Sequence, residues 1–257
     1  MILAIDTGNT HTVLGCIDEN GNVVLRLRLT TNRTATEYEY AVQLQQILQM
    51  AGVNPRAFEG AIFSCVVPSA QRAIRKACQF VTGIDPFIVG AGIRTGLHIK
   101  LDDPGTIAAD LVATAVAAKE EYPLPSIVID MGTATTVTVI DETGAFIGGS
   151  IMPGVGISLS ALTEATSLLP AIDLLPPKKI IATNTVDCMK AGIVYGAAGA
   201  IDGTLDRFIE AMEVKPASIV TTGGIGSVIC PYCRHDIVID SDLLLKGLYV
   251  LWKKNRK

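Results

Sequence analysis

The sequence predicts an α/β protein of two similar halves, and one stretch that occurs twice carries most of that prediction. In Ile127-Val128-Ile129-Asp130-Met131-Gly132-Thr133-Ala134-Thr135-Thr136, apolar and β-branched residues lead to an aspartate, a glycine turns the chain, and hydroxyls follow. Ile2-Leu3-Ala4-Ile5-Asp6-Thr7-Gly8-Asn9-Thr10-His11-Thr12 opens the chain in the same way. The likeness continues through a short apolar run into Ile17-Asp18-Glu19-Asn20-Gly21 and Ile140-Asp141-Glu142-Thr143-Gly144. Each copy therefore reads strand, tight turn, strand, hairpin turn. The third observation is composition: 257 residues, 49% hydrophobic and 18% charged, can bury one large core or two small ones.

The remaining elements follow in order. Val23 to Leu29 alternates apolar and polar residues, as a half-buried strand does. Thr30 to Thr36 is a polar loop, and Thr36 with Glu39 forms a capping-box pattern that opens a helix through Leu44, Ile47 and Leu48 to Ala51-Gly52. Gly60 to Val67 is a buried strand ended by Pro68, and Ser69 is expected to cap a helix through Ile74 and Phe80. Phe87 to Val89 is a short strand closed by Gly90-Ala91-Gly92. Leu101 to Gly105 is a loop, and Ile107 to Glu120 an alanine-rich helix. Tyr122-Pro123-Leu124-Pro125 marks the domain boundary. The second half repeats the plan, with paired strands from Ile127, a third near Phe146 to Met152, Pro153-Gly154, and a helix from Ser158 to Glu164. Leu168 to Pro177 carries too many prolines to be regular. Thr185 to about Phe208 is a helix rich in small residues, expected to be tightly packed. Ile219 to Thr222 is a strand running into Gly223-Gly224, a pair suited to close approach of an adenosine or to a strand-to-helix turn. Asp242 to Trp252 is a final amphipathic helix. Strand-strand-strand-helix, met twice, gives the expected fold: two ribonuclease-H-like domains of mixed sheet flanked by helices, residues 1–121 and 122–257, with a ligand cleft between them.

The chemistry sits at the repeated turns. A lone Asp-x-Gly is a common turn, but two copies at strand ends, both followed by hydroxyls, point to a ligand. Glycine lets backbone approach it closely. Hydroxyls and turn amides can hold an anion, and Asp6 and Asp130 can hold a cation beside it. Two such turns facing each other would grip a nucleotide phosphate tail and its metal. Asp110, near a helix start between Ala109 and Leu111, gains from the helix dipole, and its small neighbours leave room for a ligand. The net charge of -4, with no basic block before Lys253-Lys254-Asn255-Arg256-Lys257, argues against nucleic acid; that tail reads as a solvated helix end. No apolar run approaches a membrane span, and the opening residues lack a signal peptide's basic region, so a cytoplasmic protein is expected. Of six cysteines, those at 16, 65, 78 and 188 read as buried small hydrophobes. Cys230-Pro231-Tyr232-Cys233 has redox-motif spacing with His235 nearby. A zinc site would still lack a ligand, and the pair reads as a chance pair beside a turn.

In these motifs the chain resembles the type III pantothenate kinases of the acetate and sugar kinase, heat-shock-70 and actin superfamily, over nearly its whole length. Asp6-Thr7-Gly8-Asn9-Thr10 resembles the family's D-x-G-N-T, and Asp130-Met131-Gly132-Thr133-Ala134-Thr135-Thr136 its D-x-G-T-A-T-T. Ser64 to Pro68 resembles S-x-V-P, Ile151 to Gly154 I-x-P-G, Asn184-Thr185 with Met189 and Gly192 the N-T-x-x-x-M-x-x-G helix start, and Thr222-Gly223-Gly224 T-G-G. Each motif is weak alone; six in order at sensible spacing are specific. The resemblance implies an actin-like ATPase architecture and ATP-dependent phosphorylation of pantothenate to 4'-phosphopantothenate, the first step of coenzyme A biosynthesis. It also implies Mg2+, a monovalent cation (K+ or NH4+), and a homodimer with its active site near the subunit interface. Carried over by position, Asp6, Thr7, Gly8, Asn9, Thr10, His11, Thr12, Val13 and Thr133 hold ATP. Asp130 coordinates the monovalent cation, Asp110 is the general base for the pantothenate hydroxyl, and Thr185 touches the pantothenate.

Around the base the family reads Y-x-x-P and G-A-D-R, whereas this chain has Leu101-Asp102-Asp103-Pro104 and Ala108-Ala109-Asp110-Leu111. Leu101, Ala108 and Leu111 thus replace a tyrosine, a glycine and an arginine in the substrate-binding set, with Ala109 and Asp110 retained. The missing arginine pairs with the acceptor's carboxylate in the family, a contact worth roughly 1.5–3 kcal/mol, or about one to two powers of ten in affinity. Three readings follow: a pantothenate kinase that holds the carboxylate otherwise, a kinase for a different small alcohol, or a non-catalytic nucleotide-binding regulatory protein.

Overall fold

The computed structural model describes residues 1–256, so Lys257 of the basic tail lies outside the described residues. The chain divides into two compact units, one of residues 1–97, 102–120 and 242 onward, the other of 98–101 and 121–241. In the first unit β1 (Ile2–Thr7), β2 (His11–Ile17) and β3 (Val23–Thr30) form an antiparallel meander. α1 (Glu37–Met50), β4 (Gly60–Cys65), α2 (Pro68–Thr82) and β5 (Phe87–Ile88) follow. β4 joins β1 in parallel and β5 joins β4, giving the order β3-β2-β1-β4-β5. β1 is central and buried on both faces, which is why it reads as an unbroken apolar run. Leu3 and Ile5 pack with Leu14, Phe63 and the inward residues Leu44 and Ile74. Thr36 and Glu39 make the expected capping box. Ser69 does not cap α2. The helix opens two residues earlier, on Pro68, and its cap Val67 makes no side-chain bond. Proline suits that position because its fixed φ is helical and its missing N–H is one the first turn could not pair.

The chain then gives β6 (His98–Ile99) and α3 (Ala109–Glu121). The second unit continues through β7 (Ser126–Met131), β8 (Ala134–Ile140), β9 (Ala145–Pro153), α4 (Val155–Glu164), α5 (Thr185–Met212), β10 (Ser218–Thr222), α6 (Gly226–Ile229) and β11 (Val238–Ile239). Its sheet order is β11-β10-β7-β8-β9-β6. Without the edge strand β6, this is the first sheet repeated: β9-β8-β7-β10-β11 matches β3-β2-β1-β4-β5. The registers repeat too. Asp6 lies opposite Val13 and Asp130 opposite Thr136, and β2 and β8 each break register near their last residue. Gly8 N–H donates to His11 O at 2.9 Å, and Gly132 N–H to Ala134 O at 3.0 Å, across a turn one residue shorter. Ile127, Ile129 and Val137 pack with Val194, Ile201 and Leu205 of α5. β6 and β11 have two residues each, too few to leave a periodic signal.

Two expectations about burial change. α5 is not packed all round; Gly192, Gly196, Gly199 and Ala200 are exposed, and only the stripe through Met189, Val194, Ile201 and Leu205 is buried. Of the cysteines expected to be buried, Cys16 and Cys78 are, Cys65 is half-buried and Cys188 is exposed near the start of α5. No helix among the described residues is long and apolar enough to cross a membrane.

The last helix, α7 (Leu243–Asn255), belongs to the first unit although it closes the chain. Glycines admit it. A Cβ on Gly15 would sit 2.9 Å from the Leu245 side chain, one on Gly60 would strike the Trp252 ring, and one on Gly247 would strike the Ala113 backbone of α3. The ion pairs Arg26–Asp242 at 3.1 Å and Lys254–Glu120 at 2.8 Å lie on the surface and add little. Gly247→Ala should therefore cost about 1–3 kcal/mol of stability, read as a lower urea midpoint. An unchanged midpoint would contradict this close approach of α7 to α3.

Candidate active site

In the first unit the turn after β1 is held by a chain of hydroxyls. Thr12 Oγ1 donates to Thr7 Oγ1 at 3.2 Å and lies 3.0 Å from Thr31 Oγ1, which donates to Gly8 O at 2.9 Å. Thr31 N–H reaches Thr10 O at 2.9 Å. Thr7 and Thr12 are buried, so they shape the loop from beneath, while Asn9, Thr10 and His11 are exposed and Gly8 and Val13 half-buried. Asp6 is half-buried at the strand end, beside Ser64 on β4. The Ser64 hydroxyl is buried with no hydrogen-bond partner among the described residues. Arg33, which no motif singles out, donates to Asn9 Oδ1 at 2.9 Å and brings a cation to the loop.

Asp110 stands in the first turn of α3, half-buried among Ala108, Ala109 and Leu111, which are half-buried themselves. Its Oδ1 accepts from Leu111 N–H at 2.8 Å. Burial pushes its pKa above the ordinary carboxylate value, and the backbone N–H groups of Leu111 and Asp110 only partly offset this. The result is a stronger base than an exposed aspartate.

In the second unit two other motifs converge on the Asp130 turn. A Cβ on Gly223, whose φ is +89°, would lie 2.8 Å from Asp130 Oδ1. A Cβ on Gly154 would strike the carbonyl of Thr133 and lie 2.7 Å from that of Gly132. Only glycine lets both segments come this close. Thr136, opposite Asp130, has a buried hydroxyl with no partner among the described residues. Carboxylate and hydroxyl oxygens side by side are the donors a hard cation takes. Thr133 is exposed on the turn. Thr185 is exposed at the first position of α5, whose cap Asn184 accepts from Asp187 N–H at 2.9 Å. Leu101 is half-buried, 3.8 Å from where a Cβ on Gly148 would lie. The same unit holds a mostly apolar cavity of about 330 Å³ lined by Met131, Thr135, Met152, Val155, Gly196 and Ala197. Its lining comes from separate strands and helices, so no single stretch of sequence foretells it.

Solved structures with this fold include component A of the (R)-2-hydroxyglutaryl-CoA dehydratase of Acidaminococcus fermentans, with TM-score 0.59, 14% identity and coverage of 99% of both chains. Another is the inorganic polyphosphate/ATP-glucomannokinase of an Arthrobacter species, with TM-score 0.51, 14% identity and coverage of 97% of this chain and 96% of that one. The likeness is one of fold: two units of mixed sheet flanked by helices, each with an Asp-x-Gly turn after a central strand. A family model described as type III pantothenate kinase matches residues 2–207. The type III pantothenate kinase of Halalkalibacterium halodurans is 42% identical over 255 residues, 99% of this chain and 100% of that protein. Its counterpart in Bacillus cytotoxicus is 38% identical over 255 residues, 99% of this chain and 97% of that protein. The chain belongs to the type III pantothenate kinase family, and its reaction is ATP-dependent phosphorylation of pantothenate in coenzyme A biosynthesis. End-to-end similarity to such kinases does not favour a different acceptor or a non-catalytic role.

Because the folded Asp110 carboxyl holds its proton to higher pH than the unfolded one, native stability falls as pH rises through the ordinary carboxylate range, ~4, and levels off above the raised value. Asp110→Asn removes that loss. Thermal unfolding from pH 4.5 to 8 should show the variant gaining on the parent with rising pH and more stable at pH 8. An Asn variant that is less stable at pH 8 would contradict a raised Asp110.

Proposed function

We propose that Asp110 is the general base of this kinase, and the observation that carries the reading is a carboxylate whose basicity burial raises at the start of α3. Its carboxylate takes the proton of the pantothenate hydroxyl as that oxygen bonds to the γ-phosphorus of ATP. The bond to the β–γ bridging oxygen breaks and ADP leaves. Phosphoryl transfer asks the protein mainly for positioning and charge neutralisation. Asp6, Gly8, Asn9, Thr10, His11, Val13 and Thr133 hold ATP, with Thr7 and Thr12 acting through the loop they support. Arg33 adds a positive charge beside Asn9. Asp6 serves the Mg2+ that accompanies ATP. Asp130, with the Thr136 hydroxyl opposite, fits a monovalent cation, K+ or NH4+. When bound, these cations neutralise phosphate charge. Thr185 contacts the pantothenate. Ala108, Ala109 and Leu111 leave apolar surface beside Asp110, with Leu111 in place of the family's arginine, and Leu101 stands where the family has tyrosine.

The homodimer belongs to the same proposal. The exposed small-residue face of α5 at Gly192, Gly196, Gly199 and Ala200 is shaped for close approach of a second helix, and Leu168, 92% exposed, and Ile181, 83% exposed, leave apolar surface in the same unit. A cytoplasmic location agrees with six free cysteines, which a reducing compartment preserves.

Direct detection of phosphopantothenate in the presence of ATP, Mg2+ and K+ tests the reading. The protein should form it, and Asp110→Asn should form essentially none while still binding ATP. Leu111→Arg should raise kcat/KM for pantothenate by roughly tenfold by restoring a charge-assisted contact. Full turnover by Asp110→Asn would remove Asp110 as the base.

A further inference from the structure

Cys230-Pro231-Tyr232-Cys233 is left without a role by the kinase chemistry. After α6 the chain tightens into a 3-10 turn over Cys230–Tyr232, closed by Cys233 N–H donating to Cys230 O at 3.0 Å. In such a turn, side chains three apart lie over one another. Cys233 Sγ lies 3.9 Å from both Ala198 O and Ile229 O, and the turn sets Cys230 one 3-10 repeat before it. Both cysteines are free, Cys230 buried and Cys233 half-buried. The two thiols shift each other, Cys233 lowering Cys230 to about 7 and Cys230 raising Cys233. One thiol is thereby primed as a nucleophile while the other keeps its proton. A metal does not account for the pair, because no cluster of three or more His, Cys, Asp or Glu able to hold one occurs among the described residues. The neighbouring carboxylate, Asp202, accepts instead from Arg234 N–H at 2.9 Å.

Thr221 links the pair to the nucleotide residues. A Cβ on Gly226, the first residue of α6, would lie 2.9 Å from Thr221 Oγ1, so the segment carrying both cysteines is seated on that hydroxyl. Two residues on is Gly223, packed on the Asp130 turn. We propose that Cys230 and Cys233 are a peroxide-oxidisable dithiol whose closure to a disulfide weakens ATP binding through Thr221 and Gly223. The effect on ATP rests on the reading of Gly223-Gly224 as part of the nucleotide site; formation of the disulfide does not.

The chemistry balances with hydrogen peroxide as oxidant. Cys230 thiolate attacks one peroxide oxygen, the O–O bond breaks, and a sulfenic acid and hydroxide result. Cys233 sulfur then attacks the Cys230 sulfur. The S–O bond breaks, and the departing hydroxide takes the Cys233 proton as water. Two thiols are oxidised to one disulfide and one peroxide is reduced to two waters. An S–S bond of ~2.05 Å draws the sulfurs closer than any thiol hydrogen bond and so strains the segment that Gly226 seats on Thr221.

The test uses the full chain, reduced and then treated with hydrogen peroxide. Intact mass and peptide mapping read the chemistry, and calorimetric titration reads ATP affinity. Cys188→Ser serves as the background, since Cys188 is exposed and can react by itself. Expected are loss of two hydrogens mapped to Cys230–Cys233, a roughly tenfold weaker ATP affinity, and reversal of both by dithiothreitol. Cys233→Ser should stop with one added oxygen on Cys230. A pair that stays reduced overturns the dithiol, and a disulfide that leaves ATP affinity unchanged overturns its regulatory effect. A reduced protein that binds no ATP would strike down the nucleotide reading and the regulatory effect with it, while the mass readout would still decide the dithiol.

Discussion

The second unit depends on one steric constraint: the backbone at Gly154 and at Gly223 must come nearer to the Asp130 turn than any Cβ allows. Gly154 meets the carbonyls of Gly132 and Thr133, and Gly223 meets Asp130 Oδ1 and the carbonyl of Met131. Two segments distant from it in sequence are thereby locked to one turn. A turn held on several sides by backbone does not have to reorganise when an anion and a cation arrive, and electrostatic binding gains most from such preorganisation.

The first unit reaches a comparable arrangement by different means. There the turn after β1 is shaped from below by the hydroxyls of Thr7, Thr12 and Thr31. The strand order and the opposition of the aspartate to the second strand are the same in both units. The copies have diverged in what lies beneath the turn and in turn length, which is where different ligands would be told apart. Asp110 has no counterpart in that duplication. It comes from α3, a helix that meets Gly247 of α7 in the same unit. The base is thus placed by helix packing, and the phosphate-handling turns by sheet register.

Much of this was legible in the sequence because it rests on local patterns. Two apolar runs ending in Asp-x-Gly announce two buried central strands, and Thr36 with Glu39 announces a helix start. Less local features stayed hidden. β6 and β11 are too short for periodicity to register. α7 joins the first unit because Gly15, Gly60 and Gly247 leave room for it, a relation between residues far apart in the chain. α5 misled because small residues look alike whether they pack inside a chain or face outward. The site motifs were found as words, but the inward turn of Thr7 and Thr12, the tether from Arg33 to Asn9 and the orphan hydroxyls of Ser64 and Thr136 are matters of side-chain direction.

The most direct measurement is the ATP affinity of Gly223→Ala against that of Gly52→Ala. Both glycines have positive φ, +89° and +73°, but a Cβ at Gly52 meets nothing within 4 Å. Both variants thus carry comparable backbone strain, and only one intrudes on the Asp130 turn. With both folded by circular dichroism, ATP binding should be lost or weakened by at least roughly tenfold in Gly223→Ala and kept in Gly52→Ala. A folded Gly223→Ala that binds ATP as tightly as the parent would contradict the assignment of the Asp130 turn to the nucleotide site.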